Sequence, residues 1–65
     1  MPKYPEIGIK LLGEDSNAFF ILAKVGRALR KAGVSQDEID EFTEEATLGD
    51  YDHLLQTCME WVEVS

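Results

Sequence analysis

Cys58 and His53 are the side chains of this 65-residue chain best suited to nucleophilic chemistry. A thiol becomes a useful nucleophile when an imidazole or another cationic group within reach stabilises its thiolate. Here the pair sits five residues apart on one predicted helix, turned about 140° from each other, and cannot meet. Cys58 falls at the centre of that helix's apolar face, where a thiol behaves as a small inert hydrophobe. His53 falls opposite, among Asp52, Gln56 and Glu60, and is expected in solvent. Asp50-Tyr51-Asp52-His53 has the composition of a metal site but not the order of a calcium loop, which needs alternating acids, a glycine and a distal Glu. Asp50 is better explained as a helix cap. Glu14-Asp15 and the acids between Asp37 and Glu45 are carboxylates without a cleft, since three short helices cannot enclose the usual few hundred Å³. There is no phosphate-binding or dinucleotide glycine pattern and no nucleophile elbow. The expectation is a non-enzymatic chain with no cofactor and no metal.

The elements that position these residues follow from periodicity and caps. Ile7, Ile9 and Leu11 alternate with Gly8 and Lys10, a period of two that predicts a short strand between Pro5 and Gly13. Its ladder partner is either Val62-Glu63-Val64 in the same chain or a second copy. Gly13-Glu14-Asp15-Ser16-Asn17 signals a helix start. A first helix from about Asn17 to Ala32 carries Ala18, Ile21, Leu22, Val25, Leu29 and Ala32 on one face and ends at Gly33. Ser35 with Glu38 forms the sequence signature of a capping box for a second helix, running to about Thr47, with a narrow stripe of Ile39, Phe42 and Ala46. Gly49 breaks it, and Asp50 caps a third helix from Tyr51 to about Val62, with Tyr51, Leu54, Leu55, Cys58, Trp61 and Val62 inward. The fold class expected is mainly α: a compact three-helix bundle with a short N-terminal β-strand, one small domain over residues 1–65.

Charge is segregated along this frame. Lys24, Arg27, Arg30 and Lys31 give the first helix +4, while residues 34–65 hold ten acids and no Lys or Arg; with −1 from the first fifteen residues the total is −7. Such a distribution can be satisfied helix against helix or across an interface, and it bears on association rather than chemistry. The balance argues against nucleic acid, whose binding draws on many Lys and Arg contacts. Residues 36–62 have helix-turn-helix spacing, yet the would-be recognition helix opens with Asp50 and Asp52 and would be repelled by phosphate. No run reaches the roughly 18 apolar residues that span a bilayer, and Met1 to Pro5 lacks an export-signal core. With a single thiol, a cytoplasmic location and no membrane partner are expected.

Phe20 lies at about 200° on the first helical wheel, between Lys24 and Arg27 and away from the core. Either the strand or the tail covers it, or it is an aromatic anchor in a basic rim, the composition favoured at interface centres. Phe20, Lys24, Arg27 and Lys31 are therefore the candidate interaction residues. The expected role is a protein–protein interaction module with an unidentified protein partner. Self-association, as a homodimer through the strand and Phe20, is a further expectation, because so small a core gives marginal stability. The alternative is an acidic decoy or inhibitor presenting the second helix's carboxylates to a nucleic-acid-binding protein.

The segments LLGEDSNAFFILAKVGRAL (residues 11–29) and GDYDHLLQTCMEWVEV (residues 49–64) resemble short uncharacterised proteins of bacteria and their phages, a likeness that implies no activity. Residues 33–62 are faintly similar to ubiquitin-associated domains. The matching pieces are Ala32-Gly33-Val34, Gly49-Asp50 and the Trp61-Val62 end, and the family's loop has Met and an aromatic where this chain has Ala32 and Val34. That resemblance implies a three-helix fold.

Overall fold

The computed structural model describes residues 1–10 and 17–65, and within them the order is β1 (Tyr4–Ile9), α1 (Ala18–Lys31), α2 (Gln36–Ala46), α3 (Tyr51–Trp61) and β2 (Val62–Val64). The fold is mainly α, three helices with a short N-terminal strand. The expected strand end at Leu11, the Gly13 break and the Glu14-Asp15-Ser16 start signal lie outside the described residues.

Strand β1 pairs with β2 of the same chain, in parallel, so the second-copy alternative for its ladder falls away. Tyr4 stands opposite Val62, Gly8 opposite Glu63 and Ile9 opposite Val64. Lys3 N donates to Glu60 O at 2.7 Å before the pairing and Ser65 N to Ile9 O at 2.9 Å after it. Pro5 lies inside the strand rather than bounding it. A proline has no N–H for a ladder, and the register is irregular between Tyr4 and Gly8, which accommodates it. Ile7 and Ile9 point into the core, as their alternation with Gly8 predicts.

The helix ends follow local sequence closely. Asn17 Oδ1 accepts from Phe19 N at 2.9 Å and opens α1. At the other end Gly33 has φ +90°, Gly33 N bonds Arg30 O and Val34 N bonds Leu29 O, each at 3.0 Å. These two bonds with a left-handed glycine make a Schellman motif, and Val34 packs on the core beside it. Ser35 Oγ accepts from Glu38 N at 3.3 Å, and Asp50 Oδ1 from His53 N at 3.0 Å. Gly49 is required by crowding: a Cβ there would sit 2.9 Å from the Cβ of His53.

One core joins all five elements. It holds Ile7 and Ile9, then Ile21, Val25 and Leu29, then Ile39, Phe42 and Ala46, and finally Leu54, Cys58, Trp61 and Val62. Two inward expectations need correction, and one buried residue was not expected. Ala32 is exposed because it is the C-cap from which the chain turns away. Tyr51, at the first turn of α3, is 38% exposed. Thr57, absent from the predicted stripe, is buried, and its hydroxyl meets that demand by donating to His53 O at 2.9 Å.

Candidate interaction surface

The outward side of α1 carries Phe20, 56% exposed, with Ala23, Lys24 and Arg27 around a shallow depression of about 190 Å³. Neither strand nor tail buries the ring. Lys24 Nζ donates to Lys10 O at 2.6 Å, which uses one of its three N–H groups and leaves the ammonium exposed. Lys31 is exposed one turn beyond Arg27 and does not line the depression. The four candidates thus share a helix face, and three of them enclose one concavity. Arg30 lies off that face, where Nη2 donates to Gln36 Oε1 at 3.3 Å, and Gln36 Nε2 in turn to Asp40 Oδ1 at 2.9 Å.

The outward side of α2 is the electrostatic opposite. Asp37, Asp40, Glu41, Glu44, Glu45 and Leu48 line an open groove of about 360 Å³. Leu48 is 75% exposed at its end. No ion pair joins α1 to α2 among the described residues, where the one salt bridge is Lys3 Nζ to Glu38 Oε1 at 3.0 Å. Segregated charge is therefore left on two separate outer faces instead of being matched helix to helix.

Glu38 departs from the expected capping box. Its backbone N–H takes the Ser35 hydroxyl, but its carboxylate reaches across the fold instead of back to Ser35. Tyr4 Oη donates to Glu38 Oε2 at 2.6 Å, and Lys3 pairs with the other oxygen. The Tyr4 hydrogen bond, then the Lys3 bond and charge, hold the Glu38 carboxyl below its ordinary range. Each one's own bond to Glu38 raises the Tyr4 phenol and the Lys3 ammonium. Lys3 also lies 4.3 Å from the centre of the Trp61 ring, a cation–π contact. Tyr4 packs at 6.1 Å from Trp61, and Phe42 meets Trp61 edge-on at 5.5 Å. This group ties the start of the chain to α2 and α3.

Of the two residues with nucleophilic potential, Cys58 has no exposed surface, and burial pushes its thiol up to about 11. A thiol so placed stays protonated and shielded. His53 is not solvent-exposed as its wheel position implied. It is half-buried, and its Nε2–H donates to Glu45 O at 2.9 Å, closing the end of α2 from the first turn of α3. Among the described residues no three His, Cys, Asp or Glu side chains are placed to hold a metal ion, and no helix is long and apolar enough to cross a membrane.

Sequence reasoning missed two apolar side chains. Phe19 is 82% exposed, more than Phe20, and with Leu22, Ala46, Tyr51 and Leu54 borders a depression of about 230 Å³ between α1 and the α2–α3 turn. Its wheel position, 160° from Ile21 and 60° beyond Leu22 at the edge of the apolar face, was the available signal. Leu48 announced itself as an apolar residue between a helix end and a cap. In the loop after α1, Val34 is turned onto the core and Ala32 offers only a methyl group. No family model, no curated protein and no solved structure significantly matches this chain.

Proposed function

We propose that this chain is a non-enzymatic, cytosolic protein-interaction module whose contact surface is the outer face of α1. On this reading it stands with the short bacterial and phage proteins that its sequence resembles. The observation that carries the proposal is Phe20: an aromatic ring more than half exposed, set among Lys24 and Arg27 on a helix whose core face is complete without it. A ring held in water by a rigid helix is available for burial at little ordering cost, and Arg beside it offers planar, weakly hydrated charge. The buried, protonated Cys58 and the structurally engaged His53 support the non-enzymatic part.

The test is capture from a native cell extract by immobilised wild-type chain and by a Phe20→Ala/Arg27→Ala variant. A protein retained by the first and lost by the second supports the reading; equal capture by both, or none by either, rejects it. A second reading, the acidic decoy, draws on the α2 groove with its five carboxylates. It predicts a basic partner that is insensitive to Phe20→Ala and released by high salt, because exposed charge pairs are screened within a few Å there.

A further inference from the structure

The outer faces of α1 and α2 match each other residue by residue when one is reversed. On α1, Phe20, Lys24, Arg27 and Lys31 follow at intervals of four, three and four. On α2 and its last turn, Asp37, Glu41, Glu44 and Leu48 follow at the same intervals. Both sets are exposed, and three residues of the first and all four of the second line the outward concavities already described. The interval pattern reads the same in either direction. Laid antiparallel, Lys24 therefore meets Glu44, Arg27 meets Glu41, Lys31 meets Asp37, and Phe20 meets Leu48, over about 16 Å of helix.

We propose that the partner of the α1 face is the α2 face of a second copy of this chain, docked antiparallel in this register. The inference rests on reading the α1 face as an interaction surface, and it names the occupant. Within one chain the two faces cannot meet, since both point outward and no ion pair joins α1 to α2 among the described residues. Between copies the +4 helix faces the acidic one, and Phe20 and Leu48, two of the exposed apolar side chains, cover each other. Antiparallel docking also sets the basic end of α1 beside the acidic first turn of α2, where helix dipoles favour each charge. A two-fold dimer that docks both faces in this way uses the contact twice. This differs from pairing through the N-terminal strand, which the intrachain β2 already occupies.

Sedimentation of the full chain from about micromolar to about millimolar, at low and high salt, tests the inference. The expected result is a species twice 7.3 kDa, dissociating as salt rises. Arg27→Glu and Glu41→Arg should each weaken association about tenfold or more, by setting like charges opposite each other. The double variant Arg27→Glu/Glu41→Arg keeps the net charge of −7 and should recover association, as should an equimolar mixture of the single variants. Both side chains are exposed, and unchanged helical circular dichroism verifies that each variant folds. A monomer throughout, or association indifferent to the reversals, or no recovery on recombining them, overturns the proposal. Capture of another protein that depends on Phe20 and Arg27, by a chain that stays monomeric, would overturn this inference and leave the proposed function standing.

Discussion

Tyr4 and Phe42 both pack against Trp61 in the core, whereas Phe19 and Phe20 stand in solvent at the start of α1. The acids divide along the same line. Glu38 is held by a phenol and an ammonium, while Glu41 and Glu44, on the outer side of the same helix, have no ion-pair partner among the described residues. In a domain this small every aromatic is a large share of the burial available. Leaving two outside while building a dense cluster elsewhere separates a region that holds the fold from one that contributes little to it. Stability and association should accordingly respond to different substitutions.

The largest expected effect lies in the stacked cluster. Phe42 is fully buried, and Phe42→Ala should cost about 3–5 kcal/mol, enough to unfold much of so small a domain. Phe20→Ala, the same deletion on the other side, should stay within about 0.5 kcal/mol. Urea denaturation of the two variants checks the contrast, and comparable losses would break it. Next comes Cys58→Ser, expected to cost about 1–3 kcal/mol by placing a hydroxyl in the core without an assured acceptor; native-state labelling of the wild-type thiol should also be far slower than in denaturant. Ser35→Ala should cost about 1 kcal/mol, read as a lowered denaturation midpoint, since the hydroxyl alone serves the Glu38 N–H while the carboxylate is engaged elsewhere.

The smallest effect is the most specific. Because the Glu38 carboxyl is held below its ordinary value in the fold, its contribution is present above the unfolded value and lost as pH falls through the folded one. Denaturation midpoints should therefore decline on the acid side of the ordinary carboxylate range. Tyr4→Phe removes the largest cause of the lowering and should flatten that decline while leaving the neutral-pH helix content unchanged. An identical acid limb in the variant would show that the Tyr4–Glu38 bond contributes nothing in solution.

Helices and caps were legible because their causes are local. Asn17, Ser35 and Asp50 each bond an N–H two or three residues on, and Gly33 lies immediately past the helix it ends. Misreadings occurred where the partner is distant in sequence. Glu38 matches a capping box to the letter, but a stronger donor arrives from Tyr4, 34 residues away. The wheel of His53 predicts exposure because it ignores the preceding helix, to whose Glu45 carbonyl the ring donates. Pro5 looked like a boundary because local rules do not foresee an irregular register with β2. The exposure of Phe20 was legible for the opposite reason: no neighbouring element intervenes.

The pairing of Tyr4 with Val62 also carries a cost in chain closure. Closing a loop of more than fifty residues costs about 1.5 kcal/mol more than closing one of ten. Each helix can gather its own turns and caps before that cost is met. The two-stranded ribbon is thus expected to close late on folding. Every excursion that opens it also parts Lys3 and Tyr4 from Glu38 and bares one side of Trp61. The fluorescence of Trp61 consequently reports any separation of the two strands.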